Sequence, residues 1–313
     1  MVSLLYEFLM KLSVNAIPDN SNYIGEIFHY TALKNIEPIL LSSQNQIVLW
    51  ASQFDCLNDI SEGTIVEQCY RQVCDSLKTD GQITEKLHNL LSSIKPSRNE
   101  LFLISENGKV RPYRGEYTTY ITSFSKSNDL LPMWNYYSKG DMFEGINLGM
   151  DAEKITSNFP DFFADGKVKV SVNSVMYDPK EQKRIIKDFL LEIVRNYEKR
   201  FDSSVRATIS MKLTSWKVLF KQENFSHEQE VRIIMKIANK YRNILPIKYR
   251  TNAGYIIPYI ELQIDKQALK SVTLGPFCGT ESQMNLQKRT LSQMLATNQY
   301  NTNINVSKVP VRY

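Results

Sequence analysis

The sequence predicts an α+β fold. Three observations predict it: helical and alternating hydrophobic patterns both occur, they follow one another in groups without a regular strand–helix–strand period, and no Pro/Gly/Ser-rich linker divides them. The 313 residues are 42% hydrophobic, 11% aromatic and 23% charged. These proportions are ordinary for a globular protein and exclude a disordered chain, a collagen and a coiled-coil rod. A chain of this length buries a sizeable core without staples. One domain over residues 1–313 is expected.

Residues 25–31 (GEIFHYT) read as a short strand ending in a polar turn, and residues 32–43 as a helix, with Leu33, Ile36, Ile39 and Leu40 at helical spacing. Residues 46–52 (QIVLWAS) are β-branched and apolar, hence a strand. A turn cluster at 57–63 leads into an amphipathic helix at 64–77, and a further helix at 83–94 closes at Pro96. Residues 97–115 carry the weakest pattern. Residues 118–125 (TTYITSFS) form a strand, 130–138 one or two helical turns, and 144–150 and 167–177 strands. The clearest helix spans 181–200, where Ile185, Ile186, Phe189, Leu190, Ile193, Val194 and Tyr197 make one stripe. A second helix at 206–220 carries Ile209, Leu213, Trp216 and Phe220. Strands follow at 231–238, 254–264 and 271–274, then a helix at 281–296 and a last strand at 304–311.

Four irregularly spaced cysteines (Cys56, Cys69, Cys74 and Cys278) do not make a disulfide framework, which points to a reducing compartment. Glu7 and Lys11 interrupt the apolar start, so no secretory signal is expected. No run approaches the ~18 apolar residues of a membrane helix. A cytoplasmic protein without a membrane partner is expected. The formal charge is +5, but residues 180–250 hold 17 Lys and Arg against 8 Asp and Glu, a local +9 beside a remainder of −4. Such a segment is either a footprint for phosphates and nucleic acid or a solvated helix face.

Several chemistries lack their residues. There is no phosphate-binding G-x-x-x-x-G-K-[ST] loop, no dinucleotide fingerprint and no G-x-S-x-G nucleophile elbow. Three histidines and an unmatched Cys69/Cys74 pair make no structural zinc site, and no metal is expected.

Three polar clusters stand out. His29-Tyr30-Thr31 ends a strand, where a histidine donor and a hydroxyl are placed for a ligand; the plainer reading is a histidine satisfying a nearby carbonyl. Thr122-Ser123-Phe124-Ser125 is followed by Met133-Trp134 and Tyr136-Tyr137, an aromatic wall suited to a heteroaromatic ring; the plainer reading packs Trp134 and Tyr137 on the core. In the third, Glu228, Glu230 and Arg232 alternate and so share one face of an extended segment, with an ordinary surface ion pair between Glu230 and Arg232 as the plainer reading.

Together these clusters resemble a large bacterial family catalogued as domain of unknown function 2971. The residues that carry the likeness are His29-Tyr30-Thr31, Asn58-Asp59 with Glu62-Gly63, Ser123-Phe124-Ser125, Met133-Trp134 with Tyr137, Gly145, Glu228-x-Glu230-x-Arg232 and Leu274-Gly275-Pro276, over about residues 25–297. Their order is similar to that of ADP-ribosyltransferases of the His–Tyr–Glu kind. That resemblance implies a split antiparallel sheet with flanking helices and NAD as substrate. It implies that His29, Tyr30 and Thr31 hold NAD, that Ser123, Phe124 and Ser125 line the pocket, and that Tyr137, or else Trp134, stacks on nicotinamide. Glu230 would be the catalytic carboxylate, with Glu228 its rival, and Arg232 or a neighbour would bind the pyrophosphate. Ser-Phe-Ser is equally similar to the serine-bearing strand of the arginine–serine–glutamate transferases, and Asn58, Asp59 and Glu62 have no counterpart in the motif order.

The implied activity is ADP-ribosyl transfer to nucleic acid or protein, in a toxin or antiphage effector. Nucleic acid on the basic segment 180–250 and an inhibitory protein are the implied partners. With water as acceptor the enzyme would be an NAD glycohydrolase. The rival readings are a non-catalytic nucleotide or nucleic-acid binding module and a metal-dependent nuclease using Glu228 and Glu230.

Overall fold

The computed structural model describes residues 23–57, 63–96, 101–104, 110–113, 117–138, 144–157, 168–197, 201–238, 245–252, 254–276 and 279–310. The strands are β1 (Glu26–Ala32), β2 (Gln46–Gln53), β3 (Leu101–Ile104), β4 (Val110–Tyr113), β5 (Tyr117–Ser125), β6 (Gly145–Asp151), β7 (Val168–Ser174), β8 (Glu230–Ala238), β9 (Lys248–Asn252), β10 (Tyr255–Asp265), β11 (Leu269–Leu274) and β12 (Asn303–Val306). The helices are α1 (Ile36–Leu40), α2 (Ile65–Thr79), α3 (Glu85–Ser92), α4 (Leu131–Tyr137), α5 (Ala152–Ser157), α6 (Pro179–Tyr197), α7 (Ser203–Lys217) and α8 (Glu281–Thr297).

Among the described residues, ten strands form one open sheet, antiparallel except where β11 meets β12. The fold is therefore mixed α and β with helices on a large sheet, as the grouped periodicities predict. Strand β5 is its branch point. One edge of β5 pairs with β8 along its whole length, Tyr117↔Ala238 to Ser125↔Glu230. The other edge is shared: β1 pairs at Phe28↔Ser125, and β2 pairs at Ser52↔Ile121 and Gln53↔Tyr120. The sheet forks there. One arm runs β1, β6, β11, β12 and the other β2, β10, β9.

Alternation along β5 sorts its side chains between two cores. Ile121 joins Ile234 under α2, α3, α6 and α7. Tyr120 and Phe124 join Val231, Ile233 and Met235 on the opposite face, where α1, α5 and α8 contribute Leu40, Ile155 and Leu295. Helix α6 opens with Pro179, whose fixed φ suits a first turn, and Asp178 accepts from Lys180 N at 2.8 Å. Its predicted stripe is buried through Ile186, Phe189, Leu190, Ile193 and Val194. Helix α7 starts where Asp202 accepts from Ser204 N and Val205 N. Trp216 near its end lies edge-on to Phe189, ring centroids 5.5 Å apart.

The structure departs from the sequence reading in places. The predicted helix at 32–43 is a 3-10 turn (Leu33–Asn35) and the short α1, because β1 extends to Ala32. Strand β9 and helix α5 carried no pattern strong enough to be read. Glu228 is not part of an extended segment: it ends a 3-10 helix, Glu223–Glu228, and β8 begins only at Glu230. Residues Asn58, Asp59, Glu62 and Cys278 lie outside the described residues. Among the described residues no helix is long and apolar enough to cross a membrane.

Candidate functional site

The register of β5 against β8 builds a charged cluster. Ser125 stands opposite Glu230 and Ser123 opposite Arg232, so all four side chains leave the sheet on the side covered by α6 and α7. Ser123 Oγ donates to Glu230 Oε1 at 2.6 Å. Arg232 Nε and Nη2 donate to Oε1 and Oε2 at 2.8 and 2.9 Å, and Lys221 Nζ reaches Oε2 at 3.2 Å. Arg232 Nη1 donates to the Val218 carbonyl at 2.9 Å. A carboxylate offers about four lone-pair sites, and these four donors fill them. Burial alone would push the Glu230 carboxyl up, but Arg232 and Lys221 outweigh it and hold the pKa at about 2. Glu230 is a saturated anchor, ionised at neutral pH.

Lys221 arrives from the turn after α7. Met176 N donates to the Leu219 carbonyl and Lys221 N to the Met176 carbonyl, at 2.8 and 3.1 Å. Gln182 Nε2 ties the carbonyls of Met176 and Lys221 together. The same clamp brings up Tyr177, whose hydroxyl accepts from Glu230 N at 2.9 Å. Neither Lys221 nor Tyr177 was singled out from sequence. A lysine directly after Val218-Leu219-Phe220 was the available signal, since a charge in an apolar run needs a partner.

Glu228 sits one step nearer to solvent. Gln229 adopts the left-handed conformation (φ 48°, ψ 45°), which turns the chain between the 3-10 helix and β8. Glu228 and Glu230 thereby converge on one ammonium, with Lys221 Nζ donating to Glu228 Oε2 at 2.6 Å. The other Glu228 oxygen takes no hydrogen bond among the described residues, and its side chain is 17% exposed. Burial raises its carboxyl above the usual range, and the Lys221 charge opposes that rise without cancelling it. Lys221 itself is raised: its burial would lower it, but the charges of Glu230 and Glu228 prevail. The ammonium occupies the position between the two carboxylates that a cation would take. Among the described residues no group of three His, Cys, Asp or Glu side chains could hold a metal ion.

Helix α4 packs over this end of the cluster. Tyr136 Oη lies 3.2 Å from His227 Nε2. Tyr137 is 41% exposed, yet its phenol is pushed up to about 12, first by the protein packed around the hydroxyl and then by the charges of Glu230 and Glu228. Part of its ring therefore faces solvent while its hydroxyl feels both carboxylates.

The remaining sequence-predicted residues have structural partners. Phe28 lies opposite Ser125, so Phe28 shares the Glu230 side of the sheet and His29 points to the other. His29 packs on Phe124 at 5.5 Å, and its Nδ1 donates to the Ser123 carbonyl at 3.2 Å, beside the fork. This bond places the proton on Nδ1, and burial keeps the ring neutral. The plainer reading of His29, a histidine satisfying a carbonyl, describes it. Tyr30 is buried, donating to the Ser127 carbonyl and accepting from Leu130 N. Thr31 accepts from Asn35. Ser125 donates to the Glu228 carbonyl at 2.8 Å.

Two expected ligand contacts are corrected. Trp134 is fully buried, edge-on to Tyr30 at 4.7 Å and donating to Asp129 at 2.8 Å. A Cβ on Gly145 or Gly275 would stand 3.0 or 3.2 Å from its ring, so these glycines cradle it and the ring has no free face for nicotinamide. Arg232 is 1% exposed and committed to Glu230 and Val218, so it does not reach a pyrophosphate. Its pairing with Glu230 is the predicted ion pair, placed in the core and not on the surface.

Neither a curated protein nor a solved structure matches the chain. The motifs that resemble the family span about residues 25–297; the family match is narrower and runs from α4 to the first residues of β8. Within it lie Trp134, Tyr137, Gly145, Tyr177, Lys221, Glu228, Glu230 and Arg232. Residues 133–233 match the model of the family described as Protein of unknown function (DUF2971).

Proposed function

We propose that this chain is an ADP-ribosyltransferase that cleaves NAD, with Glu228 as the carboxylate that meets the substrate and Glu230 as its anchor. The observation that carries this reading is the division of labour between two carboxylates on one lysine. Glu230 has no acceptor capacity left, whereas Glu228 keeps an unbonded oxygen at the solvent edge beside Tyr137. Further support is that β1, β5 and β8, the strands that carry the three polar clusters, are neighbours in the sheet.

In this reaction the bond between ribose C1′ and the nicotinamide nitrogen breaks, and nicotinamide leaves as a neutral base with both bonding electrons. Positive charge develops on the ribose. Glu228 accepts a hydrogen bond from the 2′-hydroxyl and stabilises that charge; one such contact is worth ~3 kcal/mol, roughly a hundredfold in rate. The acceptor oxygen or nitrogen bonds to C1′ and gives up its proton, which Glu228, with its raised affinity for protons, is placed to take. Tyr137 offers a ring for the departing nicotinamide.

Nicotinamide release from NAD tests this, measured with and without added nucleic acid. Wild type is expected to release nicotinamide, and Glu228→Gln to reduce kcat by about a hundredfold or more with the fold intact. No release from a cooperatively melting wild type under either condition would sink the reading. A second reading rests on the saturation of Glu230 and Arg232: a nucleotide-binding module without turnover, for which NAD raises Tm and no nicotinamide appears.

A further inference from the structure

The second arm of the fork carries an arginine that no carboxylate pairs with among the described residues. Arg250 on β9 stands opposite Ile257 of β10 and reaches across that strand to Ser52 on β2, with Nη2 donating to Ser52 Oγ at 2.9 Å. It is half-buried, and its Nε is buried with no hydrogen-bond partner. Burial lowers its pKa, which fits a cation without a counter-charge. The nearest cation in sequence, Lys248, is already paired with Glu261 at 2.7 Å, so that pair is neutral.

Beside this guanidinium lies an open aromatic surface. Trp50 is two residues from Ser52 on β2, hence on the same face. It is 41% exposed and leans on Tyr259, centroids 4.6 Å apart at 32°. Ser52 stands opposite Ile121, and Ser123 follows on that same face, so this group lies across the fork from the Glu230 cluster.

The geometry points to a nucleoside-phosphate subsite on this arm, in which Arg250 and Ser52 take a phosphate and Trp50 stacks on the base. Guanidinium is the side chain that best matches phosphate in charge and shape. Ser52 Oγ accepts from Arg250 and keeps its own proton to donate. An exposed indole one residue-pair away offers the π-face a base requires. One uncompensated arginine fits one phosphate group and not a polynucleotide track, so the ligand is a free nucleotide. The subsite does not depend on the chemistry assigned to Glu228.

The test is a titration of the full chain with ADP, followed by tryptophan emission. The chain has three tryptophans, and Trp134 and Trp216 are buried, so the signal comes from Trp50. ADP is expected to quench saturably and inorganic pyrophosphate to compete. Arg250→Gln, read by Tm shift as well, should weaken ADP roughly ten- to a hundredfold. Trp50→Leu, read by Tm shift, should weaken it at least about fivefold. Glu228→Gln should leave ADP affinity unchanged, which separates this subsite from the proposed reaction. Absence of saturable ADP binding, adenosine binding as tightly as ADP, unaltered affinity in Arg250→Gln, loss of affinity in Glu228→Gln, or an eight-residue oligoadenylate binding more tightly than ADP would each overturn it.

Discussion

Two arginines and two tryptophans near the fork have opposite characters. On β8 Arg232 is 1% exposed with Glu230 beside it, and Trp134 of α4, packed on β1, is wholly enclosed. On the β9–β10–β2 arm Arg250 is half-buried without a carboxylate among the described residues, and Trp50 is 41% exposed. The same residue types are scaffold in one place and free chemistry in the other. What separates them is whether the fold supplies the counter-charge and the second ring face.

The sharpest way to break the comparison is to remove each arginine's head. Arg232→Met strands Glu230 as a buried charge that shares Lys221 with Glu228, and loss of one partner from a buried pair costs about 3–5 kcal/mol. Arg250→Gln leaves no charge behind, and a cost within about 1 kcal/mol is expected. Urea denaturation measures both. Replacing Glu230 together with Arg232 by apolar residues of similar size should recover much of the first loss. Equal costs for the two single variants would show that counter-charge is not what distinguishes them.

Acid sharpens the contrast within the cluster. Glu230 has its folded pKa depressed from 4.5 to about 2. Its contribution is fully present above about 4.5 and is lost as pH falls through about 2, a change of ~3 kcal/mol. Glu228 is shifted upward, so its contribution has the opposite sign: present below 4.5 and lost as pH rises through its folded value. The urea midpoint followed from pH 7 to pH 2.5 should therefore rise slightly and then fall. Glu230→Gln should remove the fall, and Glu228→Gln should remove the rise. A midpoint falling monotonically from pH 7 would contradict the assignment to Glu228.

This contrast also shows what the sequence made legible. Long amphipathic stripes and apolar strands were readable because burial is written into their periodicity, as in α6 and β8. Strand β9 (KYRTN) was not, because an edge strand needs one neighbour only and is kept polar. The Glu230-x-Arg232 alternation was visible, and with it the ion pair; its burial was not, since Lys221 and Tyr177 come from distant segments. The left-handed Gln229 left no signature, because glutamine gives no sign of positive φ. Arg232 lies in a motif and so reads as a phosphate-binding arginine, yet Glu230 two residues away claims it. The better signal was negative: Arg250 has Lys248 and Asn252 two residues to either side and so brings no carboxylate to its own face.

The smallest expected effect is the most direct probe of that free charge. Trp50→Phe should change stability by no more than ~0.5 kcal/mol, because a partly exposed ring on Tyr259 loses little packing. The same variant should abolish collisional quenching of the tryptophan emission, since Trp134 and Trp216 are enclosed. In wild type, iodide should quench better than caesium at low salt, because the guanidinium of Arg250 gathers anions near the indole and the Lys248–Glu261 pair contributes no net charge. Arg250→Gln should bring the two quenchers together, and so should 1 M salt, where screening confines the attraction to ~3 Å. If iodide and caesium quench alike at low salt in the wild type, Arg250 carries no field toward Trp50, and the two sides of the fork differ only in exposure.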